Sequence, residues 1–468
     1  MAAMDSLGQN RPFRRFWAAQ AVSQFGDRVS ELALPLLAVG LLSAGPGQIG
    51  LLTAAVWLPY LGSFFIGSWV DRHGHHRRIL VVADLARAVA LISLPLAWFL
   101  DVLTLAQLFA VALLIGLGAV CFTTATPPVF VQLVPREAYL SANSRLSTSR
   151  SASFIAGPAV GGALVQALTA PIAVLADALS FLASAYLLGR GRRPEPILDE
   201  NISPATTSDD RRSTLDGLRY LAGHALLRSD LACTATLNFF TQFGATLLVL
   251  FARRDLGLSA GLIGLAFGLG AAGGLLGALI APRLAGRFGI GPVAMVGAVV
   301  YPAGFALAAL AGGPAAVAVS VLALAEFVGS IGVMAFDVNI NSLQVAVIPD
   351  QMRSRVAGAF STVNYGVRPL GALIGGLLGT TIGIRPTLLV AAVGGAASCL
   401  WLRNSPVRRV HSLADLDQPG PQPVASASVG ASRAARRAGY NPATAPTSTA
   451  VATPPASATP GSTSGQSR

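Results

Sequence analysis

The sequence predicts an all-α polytopic membrane protein of twelve transmembrane helices in two six-helix halves, and three observations carry that prediction. Of 468 residues, 53% are hydrophobic and 12% charged, about half the charged share of an ordinary soluble domain. Apolar runs of the roughly 20 residues that cross a hydrocarbon core recur near 16–42, 48–70, 78–100, 103–126, 143–168, 171–189, 231–252, 260–282, 291–311, 315–338, 355–381 and 386–403. The two halves of this pattern also repeat one another at a fixed offset.

The first run follows Arg11, Arg14 and Arg15, is far longer than the apolar core of a cleaved signal, and shows no small-residue cleavage site, so it is read as the first helix. Basic residues then fall after the even-numbered spans: Arg72, Arg77 and Arg78, then Arg136, Arg190, Arg283 and Arg287, Arg353 and Arg355, and Arg403 onward. The alternate connections are nearly uncharged except around Asp101, Arg253 to Asp255, and Arg385. The positive-inside rule places the basic loops and both termini in the cytoplasm. The formal charge of +12, all from arginine since the chain has no lysine, therefore reports topology and not a nucleic-acid surface.

The spans group into domains. Residues 1–15 form a cytoplasmic N-terminus and 16–189 the first half. Residues 190–230 are a cytoplasmic linker, polar to Arg212 and then carrying apolar residues at helical spacing from Ser213 to Arg228, the pattern of a helix on the membrane surface. The second half is 231–403. Residues 404–468, rich in Pro, Ala, Ser, Thr and Gly, are too poor in large apolar side chains to fold and are expected to be disordered.

The duplication is read from matched stretches. Gly157-Pro158-Ala-Val-Gly161-Gly162 answers Gly371-Ala-Leu-Ile-Gly375-Gly376 (371 − 157 = 214). Gly47-Gln-Ile-Gly50 answers Gly261-Leu-Ile-Gly264 at the same offset, and Gln24-Phe25-Gly26 answers Gln242-Phe243-Gly244. Two parallel halves related by an axis along the membrane normal are implied.

The turn Gly67-x-x-x-Asp71-Arg72-x-Gly74-x-x-Arg77-Arg78 between spans 2 and 3 resembles the signature of the major facilitator superfamily of transporters, and the resemblance covers almost everything from 12 to 403. Phe25-Gly26-Asp27-Arg28, Ala33-Leu34-Pro35, Gly157-Pro158-x-x-Gly161-Gly162, Asp177-x-x-x-Phe181 and Asn339-x-Asn341 with Pro349 resemble its bacterial branch of enterobactin exporters and macrolide-efflux proteins. That resemblance implies the major facilitator fold and export of hydrophobic compounds, such as an antibiotic, drug, siderophore or macrolide, driven by the proton gradient. It also implies that Gly67, Asp71, Arg72, Gly74, Arg77 and Arg78 form a gate, Asp71 meeting the N-terminal end of span 11, whose helix dipole favours an anion. Gly157, Pro158, Gly161, Gly162, Gly371 and Gly375 would pack the seam between the halves. Two departures stand out: His75 and His76 occupy positions where Arg or Lys is usual, and the apolar part of span 4 has no arginine.

The chemistry-bearing residues lie in span 1. Asp27 is eleven residues past Phe16, about 16 Å along a helix at ~1.5 Å per residue and so near the bilayer midplane. A charge there costs about 2.5–3.5 kcal/mol on insertion scales and should face a cavity or a partner. Gln20, Gln24, Asp27 and Glu31 share one helical face, and Arg28 is placed to pair with Glu31 one turn on. Asp27, Glu31 and Arg28 are therefore the expected proton-coupling residues, with a purely structural ion pair as the alternative. The duplicate has Ala245 and Thr246 where span 1 has Asp27 and Arg28. Asn238 and Gln242 in span 7, with Glu326 and Arg368 in spans 10 and 11, join Gln20 and Gln24 as expected substrate-cavity residues. Glu326 and Arg368 either pair or stand apart. Asp84 and Arg87 read as a structural pair, and Asp177 has no partner that the sequence names.

No phosphate loop, nucleophile elbow or metal-spaced His/Cys set is present, so no enzyme activity, cofactor or metal site is expected and an ion gradient must supply the energy. The expected partners are a small hydrophobic substrate and the lipid bilayer of a bacterial inner membrane, with the chain a monomer. An uptake or facilitated carrier and a non-transporting receptor or lipid-handling protein are the alternatives.

Overall fold

The computed structural model describes residues 10–190, 210–349 and 352–416, apart from the side chains of Phe64, Asp71, 210–216, Ser354 and Leu416. Within these residues the chain is helical. α1 (Arg11–Leu41), α2 (Pro46–Trp57), α3 (Ser63–His73), α4 (His76–Phe99), α5 (Leu105–Leu133), α6 (Tyr139–Leu168) and α7 (Ala170–Gly189) build the first half. α8 (Asp210–Gly223) precedes α9 (Ala225–Leu250), α10 (Ala260–Phe288), α11 (Ile290–Ala309), α12 (Ala315–Val347), α13 (Arg353–Thr381), α14 (Ile384–Ala397) and α15 (Cys399–Arg403). Span 2 comprises α2 and α3 joined by a 3₁₀ segment at Leu58–Gly62, where Pro59 removes a backbone donor; span 12 comprises α14 and α15. Among the described residues nine helices are both long and apolar enough to cross a membrane. α1 and α13 fall outside that set, and they carry Asp27, Arg28, Glu31 and Arg368.

Local chemistry fixes many helix ends. Asn10 accepts the amide of Phe13 at 3.0 Å to start α1, and Ser259 accepts that of Leu262 to start α10, each satisfying one orphan donor. Gly74, at φ +60°, closes α3 in the left-handed conformation, as a C-terminal glycine does. Arg385, an exception to the charge sorting, donates to the carbonyls of Ala309 and Ala311 at 2.7 Å each. It thereby caps the C-terminal end of α11 while stacking on Phe251.

The halves meet at the end of the bundle opposite the basic turns. There a large buried cluster draws on both, with Leu37, Ile49 and Leu91 from the first half and Phe243, Leu247 and Ile263 from the second. At the arginine-rich end the buried clusters are separate: Phe13, Phe16, Val70 and Val129 come from the first half alone, and Leu237, Ile290, Phe336 and Leu402 from the second alone. Among the described residues the bundle is therefore closed at the arginine-poor end and parted at the arginine-rich one.

Closure rests on two backbone contacts that the duplication makes equivalent. A Cβ on Gly162 of α6 would lie 2.7 Å from Gly264 Cα of α10, and one on Gly50 of α2 would lie 2.8 Å from Gly376 Cα of α13. Gly50 and Gly264 are counterparts in the repeat, as are Gly162 and Gly376. Beside them Gly47 N donates to Thr380 Oγ1 at 3.0 Å and Gly261 N to Gln166 Oε1 at 3.4 Å, again counterpart positions. Gly157 and Gly161, expected at the seam, lie instead against Arg28 and Val29 of α1, and Gly371 and Gly375 against α9. The small residues there admit a neighbour within the same half; Gly162 and the carbonyl of Pro158 do face the seam.

Two further expectations are corrected. Residues 213–228 are not one surface helix: α8 ends at Gly223, α9 begins at Ala225, and Leu221 buries with Val356 of α13. The segment 404–416 is folded. Val407 and Val410 bury against Ile290, and the amides of Ile290 and Gly291 donate to His411 O and Val410 O. The Asp415 carboxylate accepts the amides of His411 and Ser412, which hold its pKa below the usual carboxylate range. The apolar residues at spacing three, Val407, Val410 and Leu413, are the signal the composition of the whole tail obscured. Residues 191–209 and 417–468 lie outside the described set.

Two predictions arise. Gly162→Ala and Gly264→Ala should each destabilise the fold by about 1–3 kcal/mol through overpacking, and the double variant should cost less than both together because they share one contact; thermal unfolding in detergent reads this. Thr169, at φ +81° and ψ 157°, occupies a region that suits glycine, and its counterpart is Gly383 at φ +92°. Thr169→Gly should raise the unfolding midpoint, a gain of about 1 kcal/mol.

Candidate functional site

The polar groups of the first half converge on α1, α4 and α7. Asp84 and Arg87, one turn apart on α4, form a direct ion pair in which the Asp84 side chain is 0% and the Arg87 side chain 4% exposed. Arg87 Nη1 also lies 3.9 Å from Asp27 Oδ1, and the Asp27 side chain is 37% exposed. One arginine thus stands between a buried carboxylate and one that opens toward the space between the halves. The guanidinium lies over Phe181 at 4.1 Å and Phe122 at 5.0 Å, whose ring faces attract a cation.

Asp177 on α7 answers to hydroxyls: Ser30 of α1 donates to its Oδ2 and Ser180 to its Oδ1 at 3.1 Å. Two glycines create the room. A Cβ on Gly26 would overlap Ser180 Oγ and Asp177 Oδ1, and one on Gly118 would stand 2.7 Å from Arg87 Cγ. Gly26 in the Phe25-Gly26-Asp27-Arg28 stretch is therefore the close-approach point that lets a carboxylate dock on α1.

One turn along, Arg28 Nη1 meets Glu31 Oε2 at 2.6 Å, with side-chain exposures of 32% and 59%, and lies over Phe154 of α6. Gly157 leaves space for the stem of Arg28. Gln20, expected in the cavity, is buried and accepts from Gln24 at 3.3 Å, so that end of the polar stripe is enclosed while Asp27 and Glu31 are not.

In the second half Glu326 and Arg368 form no ion pair with each other. Arg368 Nη2 donates to Asn238 Oδ1 at 2.9 Å, and Asn238 Nδ2 to Asn364 Oδ1 at 2.7 Å. The Arg368 guanidinium lies over Trp57 at 4.5 Å and Tyr365 at 4.8 Å. Trp57 and Tyr365 stack across the seam with Tyr60 beside them. Glu326 instead lines a cavity of about 230 Å³ with Phe154, Phe267, Tyr301 and Phe305. Gln242 reaches Thr246 at 3.4 Å on its own helix.

The motif turn is anchored by Arg77, whose Nε donates to Leu188 O at the end of α7. Gly67 sits 3.5 Å, measured from an added Cβ, from Thr124 of α5, and Arg72 and Arg78 are exposed. The side chain of Asp71, the expected latch, lies outside the described residues.

A bundle of paired six-helix halves, closed at one end over intramembrane charges, invites comparison with known transporters. The profile of the Major Facilitator Superfamily matches residues 16–372 and, a second time, residues 231–453. The chain belongs to this superfamily. The second match begins at α9, where the duplicated half begins. The uncharacterized MFS-type transporter YfiS of Bacillus subtilis is 26% identical over 384 residues, covering 80% of this chain and 88% of YfiS. The multidrug efflux pump Tap of Mycobacterium tuberculosis is 26% identical over 430 residues, covering 86% of this chain and 96% of Tap. Among solved structures, the nucleoside transporter NupG superposes with a TM-score of 0.67 at 15% identity, over 84% of this chain and 97% of NupG. This likeness shows the same fold.

The chain is thus a membrane transporter of this superfamily. Arg87 is the residue its sequence pattern undervalued: the one-turn pairing with Asp84 was legible, but the reach to Asp27 across helices was not. Trp57, Tyr60 and Tyr365 carried no local signal. Arg87→Ala should lower stability by about 3–5 kcal/mol by leaving Asp84 buried without its counter-charge. The double variant Asp84→Asn/Arg87→Gln should recover most of that loss, as read by unfolding midpoint and purified yield.

Proposed function

We propose that this transporter is a proton-coupled exporter of hydrophobic small molecules in a bacterial inner membrane, with both termini and the arginine-rich end in the cytoplasm. The observation that carries the reading is the arginine shared by buried Asp84 and half-open Asp27. Ionised Asp27 is drawn toward Arg87; a proton on Asp27 removes that attraction and leaves Arg87 with Asp84. The proton therefore switches one contact between α1 and α4 without stripping a buried arginine of its counter-charge. Glu31, held to Arg28 at the more exposed position, is the second coupling acid, one turn nearer the closed end.

The same arrangement supports export. With the arginine-rich end open, the space between the halves admits substrate from the cytoplasm. Aromatic surfaces at Trp57, Tyr60 and Tyr365, and around Glu326, suit apolar compounds with aromatic or cationic groups. Positive-inside charge sorting supports the orientation, and the likeness to Tap, a multidrug efflux pump, supports drugs or antibiotics as substrates. The stretches resembling the enterobactin-exporter and macrolide-efflux branch extend the class to siderophores and macrolides. The gate at Gly67 to Arg78 would close the cytoplasmic end in the opposite state, and the Gly50–Gly376 and Gly162–Gly264 contacts would part there.

Asp27→Asn is the test. In everted vesicles the variant should lose at least tenfold of its gradient-driven dye or drug uptake while substrate counterflow persists, because binding survives and coupling does not. Full gradient-driven transport by Asp27→Asn, or wild-type transport indifferent to collapse of the proton gradient, would overturn the reading.

A further inference from the structure

A cavity of about 640 Å³ lies outside the seam. It sits within the first half at the arginine-rich end, between the start of α1, the α3–α4 turn, and the ends of α5 and α7. Its polar wall is made by Arg15, His75, His76, Arg77 and Arg78, and among the described residues none that lines it is acidic. Guanidinium groups gathered around one cavity repel one another at a cost that a bound anion would offset.

Some of this basic wall has other work. Arg15 Nη1 donates to Arg190 O at 2.9 Å and Arg77 Nε to Leu188 O, so both cap the C-terminal end of α7, where positive charge is favourable. That accounts for one donor of each. Arg78 makes no hydrogen bond or ion pair among the described residues, and the buried Nδ1 of His76 has no hydrogen-bond partner. A buried imidazole nitrogen left unpaired in a cavity is an uncommon expense.

The opposite wall is apolar, with Phe16, Val81, Val129 and Leu187. Val82 also lines the cavity and is 63% exposed on the outside of α4, a membrane-spanning helix. The cavity therefore runs from a basic pocket to a surface that lipid chains cover. A soluble anion would make no use of that apolar side, whereas a phospholipid matches both sides, and basic pockets between membrane helices are a recurring way to hold acidic headgroups.

We infer that this cavity binds an acidic phospholipid of the adjoining leaflet, its phosphodiester held by Arg15, Arg78 and His76 and one acyl chain lying along Val81 and Val82. The occupant would brace the motif turn against the ends of α1 and α7, giving that turn a partner within the first half independent of the state of the seam.

The test uses the full chain purified in detergent, titrated with phosphatidylglycerol and with phosphatidylcholine and read by native mass spectrometry. Phosphatidylglycerol should bind at least fivefold more tightly. Arg15→Gln/Arg78→Gln should erase that preference while leaving phosphatidylcholine binding unchanged, and Arg78→Lys alone, which preserves charge, should retain most of it. An unfolding midpoint within about 2–3 °C of wild type verifies that the double variant is folded. Should that variant fail to fold, Arg78→Gln alone, at an exposed position, must still reduce the preference. Equal wild-type binding of the two lipids, an undiminished preference in the folded variants, or displacement of phosphatidylglycerol by millimolar inorganic phosphate would each overturn the proposal, the last by pointing to a soluble anion.

Discussion

Two places where backbone touches backbone govern this bundle. Gly50 against Gly376 and Gly162 against Gly264 bring α2 onto α13 and α6 onto α10 at distances no side chain permits. Membrane helices gain little from apolar burial against one another, since lipid is equally apolar, so close packing of small residues is what binds them. Because the contacts are counterparts under the duplication, each half offers the same pair of surfaces and receives the same pair. The shared apolar cluster forms around these contacts, and the parting of the opposite end is the geometric complement of their closeness.

The charged network depends on the same economy of small residues at a second level. Gly26 admits Asp177 and Ser180 to α1, and Gly118 admits the stem of Arg87. Within that packing the acids have different surroundings: Asp84 is wholly enclosed with its arginine, Asp177 is held by hydroxyls, and Asp27 keeps an open side. The second half has no such cluster around its counterpart positions Ala245 and Thr246. Its polar groups are instead an amide ladder, Asn364 to Asn238 to Arg368, leading to aromatic rings at the seam. Symmetry in the helices thus coexists with a division of labour in the side chains.

What was legible in the sequence follows from distance along the chain. The spans, the duplication and the one-turn pairs Asp84–Arg87 and Arg28–Glu31 depend on periodicity or on neighbours three residues apart, which sequence displays directly. The link from Arg87 to Asp27, the docking of Asp177 on Ser30 and the Trp57–Tyr365 stack join different helices and depend on which faces meet. The glycine runs were visible as close-packing signals, but their partners were not. Gly157 and Gly161 serve α1, while Pro158, Ala159 and Gly162 of that run face the other half. The folded stretch 404–416 was hidden by averaging it with a long polar tail.

The cladding of Arg87 has a consequence for fidelity. Its guanidinium is walled by Phe122 and Phe181, and of the basic side chain types arginine is the hardest to neutralise. A lysine in such a dry place is far easier to neutralise, and this chain contains none. In the proposed coupling, a proton at this network is therefore carried by one of its carboxylates, with the arginine as a fixed electrostatic reference. Among the described residues of the network there is no lysine or histidine to offer that proton a second path.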